Sequence, residues 1–233
     1  MTRKANPVFV ALDTPSLTAA STLAASLKAF VGGVKIGLEF VSANGPDGVR
    51  AMVATGVPVF LDVKLHDIPN TVAGAMKALA PLGAAIVNVH ASGGSAMMRA
   101  AAEATRSVPR PSKIIAVTVL TSLAAEDLAA MGIAGTPLEQ VARLAKLTKD
   151  SGLDGVVCSP HEIAAVRAAC GREFLIVTPG VRPSTSASDD QKRVMTPKRA
   201  LEAGADILVI GRPITGAPDP AQAAKEIAAE LVG

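Results

Sequence analysis

Residues 57–71 read VPVFLDVKLHDIPNT, and this stretch decides the fold. Side chains along a β-strand point to opposite faces in turn, so the stretch predicts one strand with two different faces. Every odd position from 57 to 65 is aliphatic, which is typical of a strand face covered by helices. The other face changes from Phe60 to Asp62 and Lys64. We therefore expect a strand whose second face is dry at one end and ionised at the other.

The end of this predicted strand carries a cluster of charges. Asp62 and Lys64 project on the same side, and Asp67 lies in the turn that follows. A strand-end ion pair with a solvated loop charge is the simplest interpretation. Charges at the end of a buried strand are costly unless they are paired, however, and paired charges in a cleft are candidates for catalysis. Asn70 or Thr71 is expected to cap the helix after the turn.

The rest of the chain repeats the unit of a strand followed by a helix. Eight such units fit into 233 residues without a linker or a change of composition. Strict alternation favours parallel strands joined by right-handed crossovers, and eight units close into a (β/α)₈ barrel, a single domain of residues 1–233. A doubly wound open sheet is the alternative, but it gives no reason for the first three strands to converge. The predicted strands are 8–12, 34–37, 57–66, 85–90, 113–119, 155–158, 174–177 and 207–210, and the predicted helices are 16–29, 46–55, 71–82, 95–106, 123–131, 138–151, 160–171, one from 197, and 220–231.

Capping residues predict where the helices begin and end. Ser16 and Ser122 are expected N-caps. A helix is expected to start near Thr196 and Pro197, with the proline in its first turn, and Ser159 is expected to open the helix after strand six. A glycine precedes many of the predicted strands, where the preceding helix would end in a left-handed C-cap. These glycines are Gly33, Gly56, Gly83, Gly152 and Gly204.

Composition excludes several classes of protein. Hydrophobic residues make up 49% of the chain and charged residues 18%, which is typical of a globular protein. Aromatic residues make up only 2%, with neither Trp nor Tyr, so stacking of nucleic-acid bases on aromatic side chains is not expected. The net charge of +3 comes from scattered Lys and Arg without a run of four. This favours a small anionic ligand over a nucleic acid.

Cysteine usage and the first apolar run predict a soluble cytoplasmic protein. Cys158 and Cys170 lie at opposite ends of a predicted strand–helix unit, so we expect free thiols, as in a reducing compartment. The first apolar run stops at Asp13, which indicates a strand and not a signal peptide. No apolar stretch approaches the length of a membrane span, so no membrane partner is expected.

Charged residues recur at the ends of the first three strands. Asp13 and Lys35 fall on the non-aliphatic side of strands one and two, as Asp62 and Lys64 do on strand three, with Asp67 beyond them. Barrel enzymes carry their sites at this end. Alternating carboxylates and ammoniums keep each other ionised, which suits a site that presents fixed charge and delivers a proton from Lys64. A Schiff-base lysine would need apolar or cationic neighbours, and the two lysines disfavour a metal ion.

The last two strands predict a phosphate site. Gly211 and Arg212 follow strand eight, and Arg182 follows strand seven, the places where such barrels commonly bind phosphate. The Arg212 guanidinium matches phosphate oxygens, although a surface arginine at a helix start is the plainer alternative. Residues 184–192 predict a long mobile loop, and Gln191 at its end is expected to lie over the ligand. The pattern indicates a phosphorylated small molecule.

The histidines give weaker signals. His66 is expected to be a loop residue, His90 to support the site from the end of strand four, and His161 to have no functional role. Asn88 shares the parity of His90. No Ser–His–Asp order, Cys–His pair, Walker loop or His-rich metal spacing is present in the sequence.

These residues together resemble the orotidine 5′-phosphate decarboxylase family, in its bacterial form. The most specific similarity is Asp-x-Lys-x-x-Asp-Ile-Pro-Asn-Thr at 62–71. The resemblance covers nearly the whole chain in order. Its other segments are 11–13, 34–37, 89–91, 120–122, 178–183 and 211–214.

The resemblance implies roles for these residues. Lys64 would protonate C6 of the pyrimidine as carbon dioxide leaves, Asp62 would press on the departing carboxylate, and Lys35 and Asp67 would complete the charge network. No cofactor and no metal would be needed, and the product would be UMP of pyrimidine biosynthesis. The family forms homodimers in which residues 67–71 reach the partner's site. The implied substrate-binding residues are Asp13, Lys35, Asp62, Thr71, Thr121, Arg182, Gln191, Gly211 and Arg212.

Two other functions remain as alternatives. The sequence also resembles 3-keto-L-gulonate 6-phosphate decarboxylase and hexulose-phosphate synthase, which share the Asp-x-Lys-x-x-Asp strand but use Mg²⁺. Those relatives carry a glutamate on strand two where this chain has Lys35, and a cation there disfavours the metal. A non-catalytic barrel that binds phosphosugars or nucleotides is the second alternative, but a pure binder has no use for this alternation of charges.

Overall fold

The computed structural model describes residues 6–106, 108–109, 111–182 and 195–231. Within these residues, eight parallel strands form a closed barrel in chain order, and the last strand pairs with the first. This confirms the (β/α)₈ barrel predicted from the sequence and contradicts the open sheet. The strands are β1 (Val8–Ala11), β2 (Gly33–Gly37), β3 (Val59–Leu65), β4 (Ile86–His90), β5 (Lys113–Val117), β6 (Gly155–Val157), β7 (Leu175–Pro179) and β8 (Ile207–Ile210).

Helices follow the strands in the expected alternation. Short 3₁₀ turns occur at Ala80–Leu82, Ala91–Gly93 and Pro160–Glu162. Within the described parts of the chain, the α-helices are α1 (Leu17–Leu27), α2 (Leu38–Ala54), α3 (Pro69–Leu79), α4 (Gly94–Ala104), α5 (Ala125–Ala130), α6 (Pro137–Asp150), α7 (Ile163–Cys170), α8 (Pro197–Ala203), α9 (Arg212–Thr215) and α10 (Pro220–Glu230).

The predicted N-cap at Ser16 and the predicted helix start at Thr196 are confirmed. The Ser16 hydroxyl accepts a hydrogen bond from the backbone N–H of Ala19 at 3.2 Å, at the start of α1. Thr196 accepts one from the N–H of Arg199 at 3.4 Å, at the start of α8. Each hydroxyl satisfies one of the N–H groups that a helix leaves unpaired in its first turn.

The caps predicted for α3 and α5 are wrong. α3 begins at Pro69, before Asn70 and Thr71, and its first turn has no side-chain cap. Proline fits that position because it has no N–H to satisfy and its φ is already helical. α5 is preceded by Ala124, not by Ser122. The Ala124 N–H donates to the Asp127 carboxylate at 2.8 Å.

Helix α2 is longer than predicted. It begins at Leu38 and contains a kink at Gly45, whose φ is 59°, immediately before Pro46. Glycine adopts this left-handed conformation without steric cost, and proline restarts the helix after it. Phe40, in the unpredicted first part, is fully buried. Residues 38–44 are therefore helical because their apolar face packs into the core, a reason that local sequence does not show.

Left-handed glycines follow four helices, as predicted. Gly56, Gly83, Gly152 and Gly204 have φ values of 73°, 84°, 82° and 111°. Gly33 is different because it belongs to β2. A Cβ atom at Gly33 would lie 2.3 Å from Cε1 of the Phe9 ring, so close packing against the ring requires glycine there.

The core consists of two apolar layers. One lies between the barrel and its helices and contains Val8, Val10 and Leu61. The other fills the barrel interior and contains Phe9 and Phe60. The alternation predicted for strands one and three is confirmed by this division. The interior layer is apolar where the strands begin, so the charged side chains lie beyond it, at the carboxyl ends.

The cysteines are free thiols, as predicted, and both are buried. Burial raises the pKa of Cys158 to about 12, so the thiol stays protonated at neutral pH. No helix in the described ranges is both long and apolar enough to cross a membrane.

Candidate active site

The carboxyl end of β3 is irregular. β3 advances through 61–65 while β4 advances only through 87–89, so β3 bulges at this point. Lys64 lies in the bulge with a φ of 49°, in the left-handed region that residues other than glycine seldom adopt. The side chains nevertheless keep the predicted alternation, because Val63 and Leu65 pack against the outer core layer while Lys64 lines the same cavity as Asp62, although the backbone of Lys64 is strained. Such strain persists only where surrounding contacts impose it, and it is common at functional sites.

Four of the predicted residues meet in one ion-pair network. Lys64 Nζ lies 2.7 Å from Asp62 Oδ1, and Lys35 Nζ lies 3.3 Å from Asp62 Oδ2. Lys35 Nζ also lies 3.4 Å from Asp13 Oδ1. The three adjacent strands β1, β2 and β3 each contribute to the network, as their carboxyl ends are neighbours in the barrel. The convergence expected from the sequence is present in the structure.

Asp62 and Lys35 are the two most enclosed charges of this network, and Asp62 is its central carboxylate. Only 13% of the Asp62 side chain is exposed, compared with 68% for Asp13. Burial by itself raises the pKa of Asp62, but attraction to Lys35 and hydrogen bonds from Lys64 and Asn88 outweigh it. The pKa therefore lies below the usual value for aspartate, and the carboxylate is ionised at neutral pH.

Asn88 belongs to the same network, although the sequence analysis assigned it no role. Its side chain is fully buried on β4. Nδ2 donates to Asp62 Oδ1 at 2.6 Å, and Oδ1 accepts from the backbone N–H of Lys64 at 2.7 Å. The signal in the sequence is a single polar residue within the apolar run of strand four, with the parity of His90.

A cavity of 210 Å³ opens where these side chains converge. Lys35, Asp62 and Lys64 form one wall, and Thr121 lies on another. Phe60 and other apolar residues of the barrel interior form its floor. A neighbouring cavity of 510 Å³ shares the Thr121 segment. The site thus combines a dry apolar base with fixed charge on one side, the form of most small-molecule sites.

The turn after β3 does not join this network within one chain. The Asp67 carboxylate accepts a hydrogen bond from the N–H of Ile68 at 2.6 Å and is exposed. No ion pair between Asp67 and Lys64 exists among the described residues. Thr71 is also exposed, in the first turn of α3.

The residues predicted to bind phosphate lie around the ends of β7 and β8. Gly211 directly precedes α9 and lies beside Asp13, because a Cβ atom there would be 3.9 Å from Asp13 Oδ2. Arg212 is exposed at the start of α9. Arg182 follows β7, and its backbone N–H donates to the Met195 carbonyl at 3.1 Å.

The predicted loop 184–192, with Gln191 in it, lies outside the described residues. Its conformation and the position of Gln191 stay predictions. Val181 and Met195, which lie before and after this loop in the sequence, form an isolated parallel β-bridge.

Two histidines stack at the edge of the site. The rings of His66 and His90 are 5.4 Å apart at an interplanar angle of 20°. Burial lowers the pKa of His90, and the nearby His66 and Lys64 lower it further. Ser92 Oγ lies 2.7 Å from His90 Nδ1. His90 is therefore neutral at neutral pH, and its supporting role stays a prediction.

No group of three or more His, Cys, Asp or Glu side chains that could bind a metal ion occurs within the described ranges. The nearest carboxylates of the site, Asp13 and Asp62, lie on either side of the Lys35 ammonium. The donor set at this end of the barrel is therefore mixed in charge, which suits an anionic organic ligand better than a divalent cation.

Residues 6–227 match the family described as "Orotidine 5'-phosphate decarboxylase / HUMPS family". The chain belongs to this family. The orotidine 5′-phosphate decarboxylase / HUMPS match includes every strand of the barrel and all four residues of the ion-pair network. The resemblance stated from the sequence is thereby confirmed.

Similar family members extend over almost the whole chain. A protein named orotidine 5′-phosphate decarboxylase from Rhodospirillum rubrum is 59% identical over 98% of this chain and 95% of the relative. Another of the same name, from Paramagnetospirillum magneticum, is 54% identical over 97% of this chain and 98% of the relative. The crystal structure of orotidine 5′-phosphate decarboxylase from Lactobacillus acidophilus superimposes with a TM-score of 0.87 at 38% identity, covering 98% of this chain and 100% of that one.

Proposed function

We propose that the chain decarboxylates orotidine 5′-phosphate to UMP and carbon dioxide, a step of pyrimidine biosynthesis. The observation that carries this proposal is the enclosed Asp62 carboxylate between two ammoniums in the cavity at the carboxyl end of the barrel. Relatives more than half identical to the chain carry the name of this activity. No cofactor is required by the chemistry described below.

Lys64 is the proposed proton donor. When the C6–carboxylate bond breaks, its electron pair remains on C6, and the pyrimidine offers no adjacent electron sink. An ammonium already oriented toward that carbon stabilises the developing charge and then transfers a proton to C6, leaving a neutral amine. The ion pair with Asp62, at 2.7 Å, fixes the Lys64 Nζ at the cavity wall before substrate binds.

Asp62 is proposed to face the substrate carboxylate. Its lowered pKa keeps Asp62 charged at neutral pH. The Asp62 carboxylate and the substrate carboxylate would therefore be adjacent in the enzyme–substrate complex. Loss of neutral carbon dioxide removes that repulsion, and the enclosed site strengthens the effect. Lys35 anchors the other Asp62 oxygen at 3.3 Å and thereby fixes the carboxylate.

The rest of the substrate is proposed to bind toward β1, β5, β7 and β8. Asp13 and Thr121 contact the ribose and the pyrimidine. Arg182, Gln191, Gly211 and Arg212 bind the phosphate, and the position of Gly211 beside Asp13 supports a phosphate next to the ribose end of the cavity. Binding energy from the remote phosphate can then be used to close and desolvate the site.

We further propose that the active enzyme is a homodimer in which Asp67 and Thr71 complete the partner's site. Among the residues that the structure describes, the Asp67 carboxylate hydrogen-bonds only within its own turn, and the adjacent Ile68 is 67% exposed, which is unusual for a large apolar side chain. The test mixes Lys64→Ala and Asp67→Ala chains after dissociation. Each heterodimer would have one intact site and one doubly mutated site. Because about half of the dimers are heterodimers after equal mixing, about a quarter of all sites would be active. No recovery would contradict a shared site.

The Mg²⁺-dependent alternative is disfavoured by Lys35. Its ammonium lies 3.3 Å from Asp62 Oδ2 and 3.4 Å from Asp13 Oδ1, between the two carboxylates that a metal would need. A divalent ion there would meet a like charge. The non-catalytic alternative predicts ligand binding without turnover.

The deciding experiment incubates the purified chain with orotidine 5′-phosphate and follows the loss of orotate absorbance, with and without EDTA. The absence of Trp and Tyr makes this measurement convenient. We expect turnover that survives the chelator. Loss of activity with EDTA would favour the Mg²⁺-dependent alternative, and binding without turnover would favour the pure binder.

A further inference from the structure

We infer that Asn88 is a positioning residue for decarboxylation, because its side-chain amide orients both the Asp62 carboxylate and the Lys64 backbone. This inference rests on the proposed function. Asn88 does not line the cavity surface as Lys35 or Thr121 does, and its side chain is fully buried. It therefore acts through its neighbours and not on the substrate.

The two hydrogen bonds of Asn88 define its amide orientation. The backbone N–H of Lys64 can only donate, so the amide oxygen must face it, at 2.7 Å. The ionised Asp62 carboxylate can only accept, so the amide nitrogen must face Asp62 Oδ1, at 2.6 Å. An exchange of the amide oxygen and nitrogen would break both contacts at once. A buried amide satisfied on both sides is rigid, and it transmits that rigidity to both partners.

The contact with the Lys64 N–H explains the backbone of residue 64. The bulge removes this residue from the regular ladder between β3 and β4, and its φ of 49° is costly for a residue with a side chain. The Asn88 oxygen replaces the acceptor that a regular strand would have supplied. The left-handed backbone in turn directs the Lys64 side chain to Asp62, where Nζ pairs with Oδ1.

The contact with Asp62 determines how that carboxylate is shared. Oδ1 receives both the Asn88 amide and the Lys64 ammonium, while Oδ2 pairs with Lys35. Without the amide, the Asp62 carboxylate could rotate about its side-chain bonds together with the Lys64 ammonium that is paired with Oδ1. The proton donor would then no longer be held in one position. Displacement of a reacting group by about 1 Å can cost about 10²-fold in rate.

The test compares kcat, KM and UMP affinity in three variants. Asn88→Leu removes both hydrogen bonds at similar volume, and we expect kcat to fall about 10²-fold while KM and UMP affinity change less than about threefold. Ser112→Ala is the matched control. Ser112 Oγ donates to the Ala84 carbonyl at 2.6 Å, also buried, at the opposite end of the barrel. This control should lose stability but keep kcat.

Asn88→Asp provides a readout that a merely structural role would not change. At neutral pH it places a second carboxylate against Asp62, near Lys35, Lys64 and His90, and kcat should fall at least as far as in Asn88→Leu. As the pH is lowered, one proton shared by the two carboxylates restores the donor, so kcat should partly recover relative to wild type. Asn88→Leu should show no such recovery.

Several outcomes would overturn this role. A wild-type kcat in Asn88→Leu, or in Asn88→Asp at neutral pH, would contradict the positioning role. If Asn88→Leu does not fold, the kinetics of Asn88→Asp decide alone. If the wild-type chain lacks turnover, the proposed function fails separately. In that case a crystal structure of Asn88→Leu decides the inference, because we expect residue 64 to leave the left-handed region and Nζ to move away from Asp62.

Discussion

The two ends of the barrel use ion pairs in different ways. At the amino end, Asp154 forms an ion pair with Lys113 at 2.6 Å and accepts a hydrogen bond from the backbone N–H of Ile114 at 2.8 Å. Asp206 likewise pairs with Arg167 at 2.7 Å and accepts the N–H of Ile176. Each carboxylate ties its own segment to the backbone of the neighbouring strand. These pairs therefore stabilise strand order.

At the carboxyl end the partners are side chains instead. Asp62 accepts from Lys64 and Asn88 and pairs with Lys35, and the strand beside it is bulged. The charges lie around a cavity and do not reinforce a ladder. The comparison teaches that an ion pair contributes to stability where backbone groups complete it, and to chemistry where a cavity leaves the ammonium next to a ligand.

Lys64→Ala tests the carboxyl end most severely. We expect kcat for orotidine 5′-phosphate to fall by about 10⁴-fold, because the proposed proton donor is removed, while UMP still binds. Steady-state kinetics and UMP titration measure the two effects. Lys113→Ala, which removes the ion-paired lysine of the amino end, should leave kcat unchanged. A near-normal kcat in Lys64→Ala would refute its role.

Arg167→Ala tests the amino end. Arg167 donates to Asp206 and to the backbone carbonyls of Gly204 and Phe174, and only 17% of its side chain is exposed. We expect the free energy of unfolding to fall by about 3 kcal/mol because several part-buried acceptors lose their donor. Denaturant titration measures this loss, and kcat of the folded enzyme should match wild type. A large fall in kcat would break the distinction between the ends.

Arg212→Ala tests whether the carboxyl end near β8 binds phosphate. We expect kcat/KM for orotidine 5′-phosphate to fall by about 10²-fold, since a charge-assisted phosphate contact is lost. Calorimetric titrations with uridine and UMP check this. Uridine, which has no phosphate, should bind the variant as tightly as it binds the wild type, whereas UMP should bind the variant more weakly. Arg50→Ala removes an exposed arginine paired with Asp47 and is the control. Equal losses for uridine and UMP would exclude Arg212 from the phosphate site.

Asp62→Asn tests the smallest effect, the pH dependence of stability. The pKa of Asp62 in the folded protein is lower than the ordinary 3.8, so its charge stabilises the fold above that value. This contribution is lost as the pH falls from about 3.8 through the folded pKa. Unfolding free energies measured from pH 6 downward should fall less steeply in Asp62→Asn. Asp47→Asn controls for the loss of one exposed carboxylate, and identical slopes for Asp62→Asn and wild type would contradict the argument.

Much of this molecule could be predicted from the sequence because the decisive signals are local and periodic. Alternation along residues 57–65 and eight repeats of strand and helix specify a barrel, and in a barrel the ends of adjacent strands must converge. Asp13, Lys35, Asp62 and Lys64 were therefore identifiable as one cluster before any coordinates existed. The helix starts at Ser16 and Thr196 were predicted correctly, because in each case a hydroxyl caps its own helix.

Only the tertiary structure decided the details that depend on contacts between distant residues. The backbone of Lys64 is left-handed, and its N–H donates to the side chain of Asn88 on the next strand. The early start of α2 exists because Phe40 is buried in the core. Such features balance a local cost against a non-local gain, and a sequence displays the local cost alone. The periodic pattern determined the barrel and its charged end, while the position of the Lys64 side chain depends on hydrogen bonds between neighbouring strands.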